Sequence, residues 1–198
     1  MLKQCFKYLF ILFVASFLVA CSGTPKKPVI VIEKTSGVVL PVLSDEEKTR
    51  YQQAVKLLAE EDFSQAEVLF NDLVSKQPNL TGAFVNLGII KKKGGQIDEA
   101  KALFLKALDI NPNFIDALLQ QALIYRDLGE FTKAEDLLRR AEALQPNHPL
   151  VNYNLCVLYE LYLQEYSLAI KYYQRYVSVS QADDVETVKR WIQLLERK

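Results

Sequence analysis

One histidine, one methionine, one tryptophan and three cysteines are all that this chain of 198 residues holds of those types. The scarcity bounds its chemistry. His148 is the sole imidazole and sits in an Asn-His-Pro turn, so no Cys/His cluster has metal-ligand spacing and no second histidine is available for acid–base work. Glycine is sparse too, at seven residues. The pair Gly94-Gly95 lacks the flanking glycines and lysine of a phosphate-binding loop and reads as a turn. Charge of one sign is also missing: 24 basic residues face 24 acidic ones. No basic field exists to hold nucleic acid. The chain reads as non-catalytic, with no metal, no cofactor and no small-molecule substrate.

What the chain does have is a period. Residues 81–114 and 115–148 superpose without a gap. Ala100 aligns with Ala134, Ala107 with Ala141, Pro112 with Pro146 and Gly88 with Ala122, always 34 residues apart. Self-similarity at such a period marks a helical solenoid. Small residues recur where two helices must approach closely. Ala100 and Ala107 lie seven apart and share a helix face, as do Ala134 and Ala141. Phe84, Leu87, Leu103 and Phe104 fill the gaps beside them in one repeat, and Leu118, Tyr125, Leu137 and Leu138 in the next. Pro112 and Pro146 lack a backbone N–H and stop the second helix of each pair.

This pattern resembles the tetratricopeptide repeat (TPR) family, which carries a bulky residue, Leu-Gly or an equivalent, Tyr, Ala, Phe, Ala and Pro at set positions. Residues 81–114 hold seven of these eight, with Lys91 where tyrosine is usual. The resemblance implies an all-α, right-handed superhelix of about four helix-turn-helix repeats. Counting by 34 places them at about 47–80, 81–114, 115–148 and 149–182. The first repeat is degenerate in its first helix, with Arg50 and Gln53 at usually apolar positions. In the fourth, Leu155, Cys156 and Tyr159 are in register, but the next alanine, Ala169, falls one residue late and the terminal proline is absent. Ser44 and Glu47 have capping-box spacing and open the solenoid, which spans 45–182. Residues 183–198 carry a stripe of Val185, Val188, Ile192 and Leu195 and are expected to form a capping helix over the open end. Trp191 lies at the edge of that stripe, for core packing or for a partner.

The N-terminus is of another kind. Lys3 and Lys7 precede an apolar run over 8–20, too short for a comfortable membrane span, so 1–20 reads as a signal peptide; an uncleaved anchor helix is the alternative. The run ends Leu18-Val19-Ala20-Cys21, which resembles the bacterial lipobox. That resemblance implies cleavage before Cys21 and its acylation, and Ser22 in place of Asp implies the outer membrane. A multiply acylated cysteine anchors stably where one chain does not. Loss of the two signal-region lysines leaves 22 basic residues against 24 acidic, net −2. Residues 21–44 form a flexible tether that spans roughly 60–70 Å when extended. Its apolar beads, Val29-Ile30-Val31-Ile32 and Val38-Val39-Leu40, either lie on the outside of the first repeat or add a strand to a partner's sheet. With Cys5 cleaved away and Cys21 lipidated, only Cys156 remains, so no intramolecular disulfide forms; its small-residue position reads as a buried, inert thiol.

In the TPR family the first helix of each pair lines the concave face, and the resemblance implies which residues point into it. Its fifth position reads Tyr51, Val85, Leu119 and Tyr153. The sixth reads Gln52, Asn86, Gln120 and Asn154, an amide in every repeat. The ninth reads Val55, Ile89, Leu123 and Val157. The expected groove is apolar with a central amide row. These amides either pair with a partner's backbone or bond between neighbouring helices. The second position, Lys48, Gly82, Asp116 and Leu150, lacks the basic clamp that some TPR modules use for a C-terminal carboxylate. Lys91-Lys92-Lys93 reads as a solvated helix end, or else a contact for an acidic partner or lipid headgroups.

Taken together these resemblances imply a lipid-anchored adaptor at the outer membrane, facing the periplasm, whose groove holds an extended peptide or helix of a protein partner. Short TPR lipoproteins serve type IV pilus secretin assembly or β-barrel assembly. Alternatives are an accessory protein of a TonB-type energy-transducing system and an adaptor recruiting peptidoglycan enzymes.

Overall fold

The computed structural model describes residues 41–197. The signal peptide at 1–20, Cys21 and most of the tether expected over 21–44 lie outside them. The described chain forms helices α1 (Asp45–Ala59), α2 (Phe63–Lys76), α3 (Thr81–Lys93), α4 (Ile97–Ile110), α5 (Ile115–Asp127), α6 (Phe131–Leu144), α7 (Pro149–Val157), α8 (Tyr166–Val179) and α9 (Val185–Leu195). Among the described residues none is long and apolar enough to cross a membrane.

Helix α1 begins with a full capping box. The Glu47 N–H donates to Ser44 Oγ (3.2 Å) and the Ser44 N–H donates to the Glu47 carboxylate (2.7 Å). The second helices stop for a shared reason. Gln77, Asn111 and Gln145 each precede a proline, and each has left the helical region, with ψ of 78°, 95° and 88°. The following ring clashes with a helical backbone at that position.

The turn inside each hairpin also repeats. Glu61, Gly95 and Gly129 have φ of 62°, 77° and 77°, spaced by 34. The fourth member is Gln164 at φ 58°, one residue beyond the period. The extra residue is absorbed as a π-helical turn, Leu158–Leu163, that continues α7. A π turn holds one more residue than an α turn at the same hydrogen-bonded closure. The late Ala169 thereby returns to the core, fully buried like Ala66, Ala100 and Ala134.

Each hairpin packs its two helices together, and its second helix packs on the next hairpin's first. Ala54, Gly88, Ala122 and Cys156 occupy one small-residue row at the crossings, all buried. Phe70, Phe104 and Leu138 fill the space opposite. Helix α9 lays Val188, Ile192 and Leu195 on the last hairpin, and Trp191 meets Tyr173 edge-on at 6.2 Å. The first helices also touch one another, α1 with α3 and α3 with α5. The side on which successive helices approach is the inside of the curve, so α1, α3, α5 and α7 line the concave face.

Candidate partner-binding groove

The twelve groove positions expected from the sequence separate into three environments. Val85 and Leu119 are each only 4% exposed. Val85 shares a buried cluster with Phe114 and with Ala117 and Ile124 of the next repeat, and Leu119 shares another with Val151 and Leu155. Tyr51 and Tyr153 at the same row are half-buried; Tyr51 stands edge-on to Phe70 (5.6 Å) and Tyr153 packs on Tyr176 (5.4 Å). Val55, Ile89, Leu123 and Val157 are half-buried in every repeat and recur at one position of the inner helices.

The amides do not behave alike. Asn86 donates to the Tyr51 hydroxyl at 3.0 Å, which ties α3 to α1. Asn154 is 9% exposed and donates to the Leu150 carbonyl of its own helix at 2.7 Å. Gln52 is exposed and Gln120 half-buried, and neither has a hydrogen bond among the described residues. Two of the four therefore serve the fold, and Gln120 is the amide left available at the centre.

Row two supplies residues that the reading of rows five, six and nine passed over. Gly82 lies under Tyr51: a Cβ there would come 2.6 Å from the hydroxyl. Burial pushes the Tyr51 phenol up to about 12, with Asn86 acting in the opposite sense and the Asp116 charge adding to the rise. Asp116, in the first turn of α5, is half-buried, and burial pushes its carboxyl up although His148 opposes this. His148 caps α7 by accepting the Val151 N–H at Nδ1 (3.4 Å), and burial pushes its imidazole down, with Asp116 opposing. Asp116 of α5 thus interacts electrostatically with both Tyr51 of α1 and His148 at the start of α7. An acid 34 residues from Gly82, in a row that otherwise reads Lys48, Gly82 and Leu150, was the sequence signal for it.

The lysine run lies elsewhere. Lys91 pairs with Glu67 (2.7 Å) and Glu99 (3.6 Å), and Lys92 approaches Asp127 at 3.8 Å. These two are links within and between repeats, whereas Lys93 is exposed and has no ion pair among the described residues. The ammonium in place of the usual tyrosine reaches back to α2 and across to α4. Cys156 is buried, its Sγ donating toward the Asn152 and Tyr153 carbonyls (3.1 Å each), and burial pushes the thiol far up. Among the described residues no group of His, Cys, Asp and Glu side chains is placed to hold a metal ion.

The family profile of the tetratricopeptide repeat matches residues 57–124 and 93–156, slightly more than half of the chain. The chain belongs to the tetratricopeptide repeat family. No curated protein matches it significantly. Solved TPR structures resemble it in fold. A tetratricopeptide repeat protein from Parabacteroides merdae shares 21% identity over 77% of this chain, with a TM-score of 0.60; the match spans 61% of that protein. PilF of Pseudomonas aeruginosa shares 18% identity over 76% of this chain and 69% of its own, with a TM-score of 0.68. MamA from Desulfovibrio magneticus RS-1 shares 18% over 79% of this chain and 98% of its own, with a TM-score of 0.57. TPR proteins are generally non-catalytic scaffolds that bind protein partners.

Proposed function

We propose that this TPR protein is a lipid-anchored adaptor at the outer membrane, facing the periplasm, that holds a segment of a protein partner in its concave groove. The observation that carries the binding part is the half-buried apolar row of Val55, Ile89, Leu123 and Val157, together with the uncommitted amide of Gln120. Apolar area gives affinity, and a free donor and acceptor pair with an extended backbone. The anchoring part is supported by Leu18-Val19-Ala20-Cys21 alone. Type IV pilus secretin assembly and β-barrel assembly are the processes that the sequence resemblance implies, with TonB-type coupling and recruitment of peptidoglycan enzymes as alternatives.

Site-specific photocrosslinking in cells tests the groove. Crosslinkers at Gln120 and Leu123 should give a discrete protein adduct, and one at the exposed Val68 on outer helix α2 should not. An adduct from Val68 alone would move the interaction to the convex face. Cys21→Ser should abolish acyl labelling and outer-membrane fractionation; unchanged fractionation would refute the anchor.

A further inference from the structure

We propose that the groove selects a partner segment bearing a lysine or arginine side chain, and that Asp116 receives this cation. The inference rests on the groove reading above and names the chemistry of its ligand.

Asp116 differs from the other shielded acids of this chain. Glu142 is held by Arg139, Arg175 and Tyr172, Asp72 by Arg50 and Lys76, Glu67 by Lys91, and Glu135 by Tyr159 and Arg139. Asp116 is half-buried, yet it has no hydrogen bond or ion pair among the described residues. Burying a charge without a partner is costly, and proteins rarely leave one so.

Among the described residues no lysine or arginine pairs with Asp116. From α1 comes the Tyr51 phenol, protonated and held over Gly82 by Asn86. From the start of α7 comes His148, whose Nδ1 accepts the Val151 N–H as only the neutral imidazole can, and burial shifts it in the same direction. An incoming ammonium or guanidinium would complete the pair, and charge-assisted bonds of this kind are about twice as strong as neutral ones.

The surroundings specify a side chain instead of a chain terminus. The groove continues past Asp116 in both directions, to Asn86 and Ile89 on α3 and to Val157 on α7, so a segment can run through it. Gln120 and Leu123 lie four and seven residues along α5, on the same helix face as Asp116. The surface therefore presents an anion, then a backbone-pairing amide, then an apolar contact. That order fits an extended segment with a basic residue followed by an apolar one.

A displayed library of short linear peptides, selected on the purified full chain, tests this. Recovered peptides are resynthesised with acetylated N-termini, and each basic residue is replaced in turn by norleucine. The expected result is enrichment of lysine or arginine and about a ten- to hundredfold weakening with norleucine or with Asp116→Asn, the effect of removing a charged hydrogen-bond partner. Leu123→Ala should weaken basic and neutral peptides alike. Peptides that need Leu123 but bind Asp116→Asn normally would overturn the cation inference and leave the groove reading standing. Loss of binding on acetylation would assign the cation to the terminus and overturn the side-chain inference. Recovery of no peptide sensitive to Leu123 or Gln120 would overturn both. Without ligand, Asp116→Asn should raise the melting temperature, since it removes an unpaired shielded charge. A lower melting temperature would mean that the carboxylate serves the fold and would overturn the inference.

Discussion

Gly88 of α3 faces the ring of Phe104 in α4 so closely that a Cβ at Gly88 would lie 2.4 Å from Cε1 and 2.8 Å from Cδ1. The ring is fully buried and has no empty space to enter. Gly88→Ala should therefore destabilise the protein by about 1–3 kcal/mol through overpacking, despite the better helix propensity of alanine. Urea or thermal unfolding reads this directly. Asp136→Ala on the exposed side of α6 should change stability by less than about 0.5 kcal/mol.

Gly129 tests a different cause. Its φ is +77° and a Cβ there would meet nothing within 4 Å. Gly129→Ala should cost about 1–2 kcal/mol through backbone conformation alone. Gln164 occupies the equivalent turn at φ 58° as a non-glycine. Gln164→Gly should leave stability unchanged or raise it by up to about 1 kcal/mol, the relief being offset by the greater freedom of the unfolded chain. A clear loss on Gln164→Gly would show that the side chain itself stabilises the π turn.

The Glu142 carboxylate joins α6 to α8. It accepts from Arg139 and from Tyr172 (3.0 Å) and pairs with Arg175. Burial alone would push its carboxyl up, but the bonds from Arg175, Tyr172 and Arg139 outweigh this and hold it below its ordinary value. A depressed carboxyl stabilises the fold above its unfolded pKa and loses that contribution as pH falls through the folded one. Glu142→Gln should thus be less stable than the parent at pH 7. The difference should shrink on acidification below about pH 4.5. Melting curves across that range give the answer, and a pH-independent difference would contradict it.

Cys156 reports on opening of the fourth repeat. The thiol is fully buried and its acidity suppressed, so the reactive thiolate is scarce. An alkylating reagent should label Cys156 negligibly in the native protein and rapidly once urea crosses the unfolding midpoint, read by mass on the peptide that contains it. Fast labelling under native conditions would indicate local unfolding of α7 and the π turn.

The amino-acid sequence by itself determined the hairpin repeat. A period of 34, alanine or glycine at each crossing and a proline after each of three second helices act through local sterics, and neighbours in sequence suffice to express them. The displaced Ala169 likewise announced one extra residue, although not that a π turn would take it up. Tertiary structure alone decided which amides of the regular row stay available. Asn86 is engaged because the stack carries it to Tyr51, 35 residues earlier, while Gln120, at the same row, meets no partner. It also decided that Lys91 would be paired with Glu67 and that Asp116 would have no hydrogen bond or ion pair among the described residues. Such partners lie a repeat apart along the chain, and whether they meet depends on how far each hairpin is rotated on the last. Side-chain spacing within one repeat carries no measure of that rotation, because it is set by the packing of one repeat on the next.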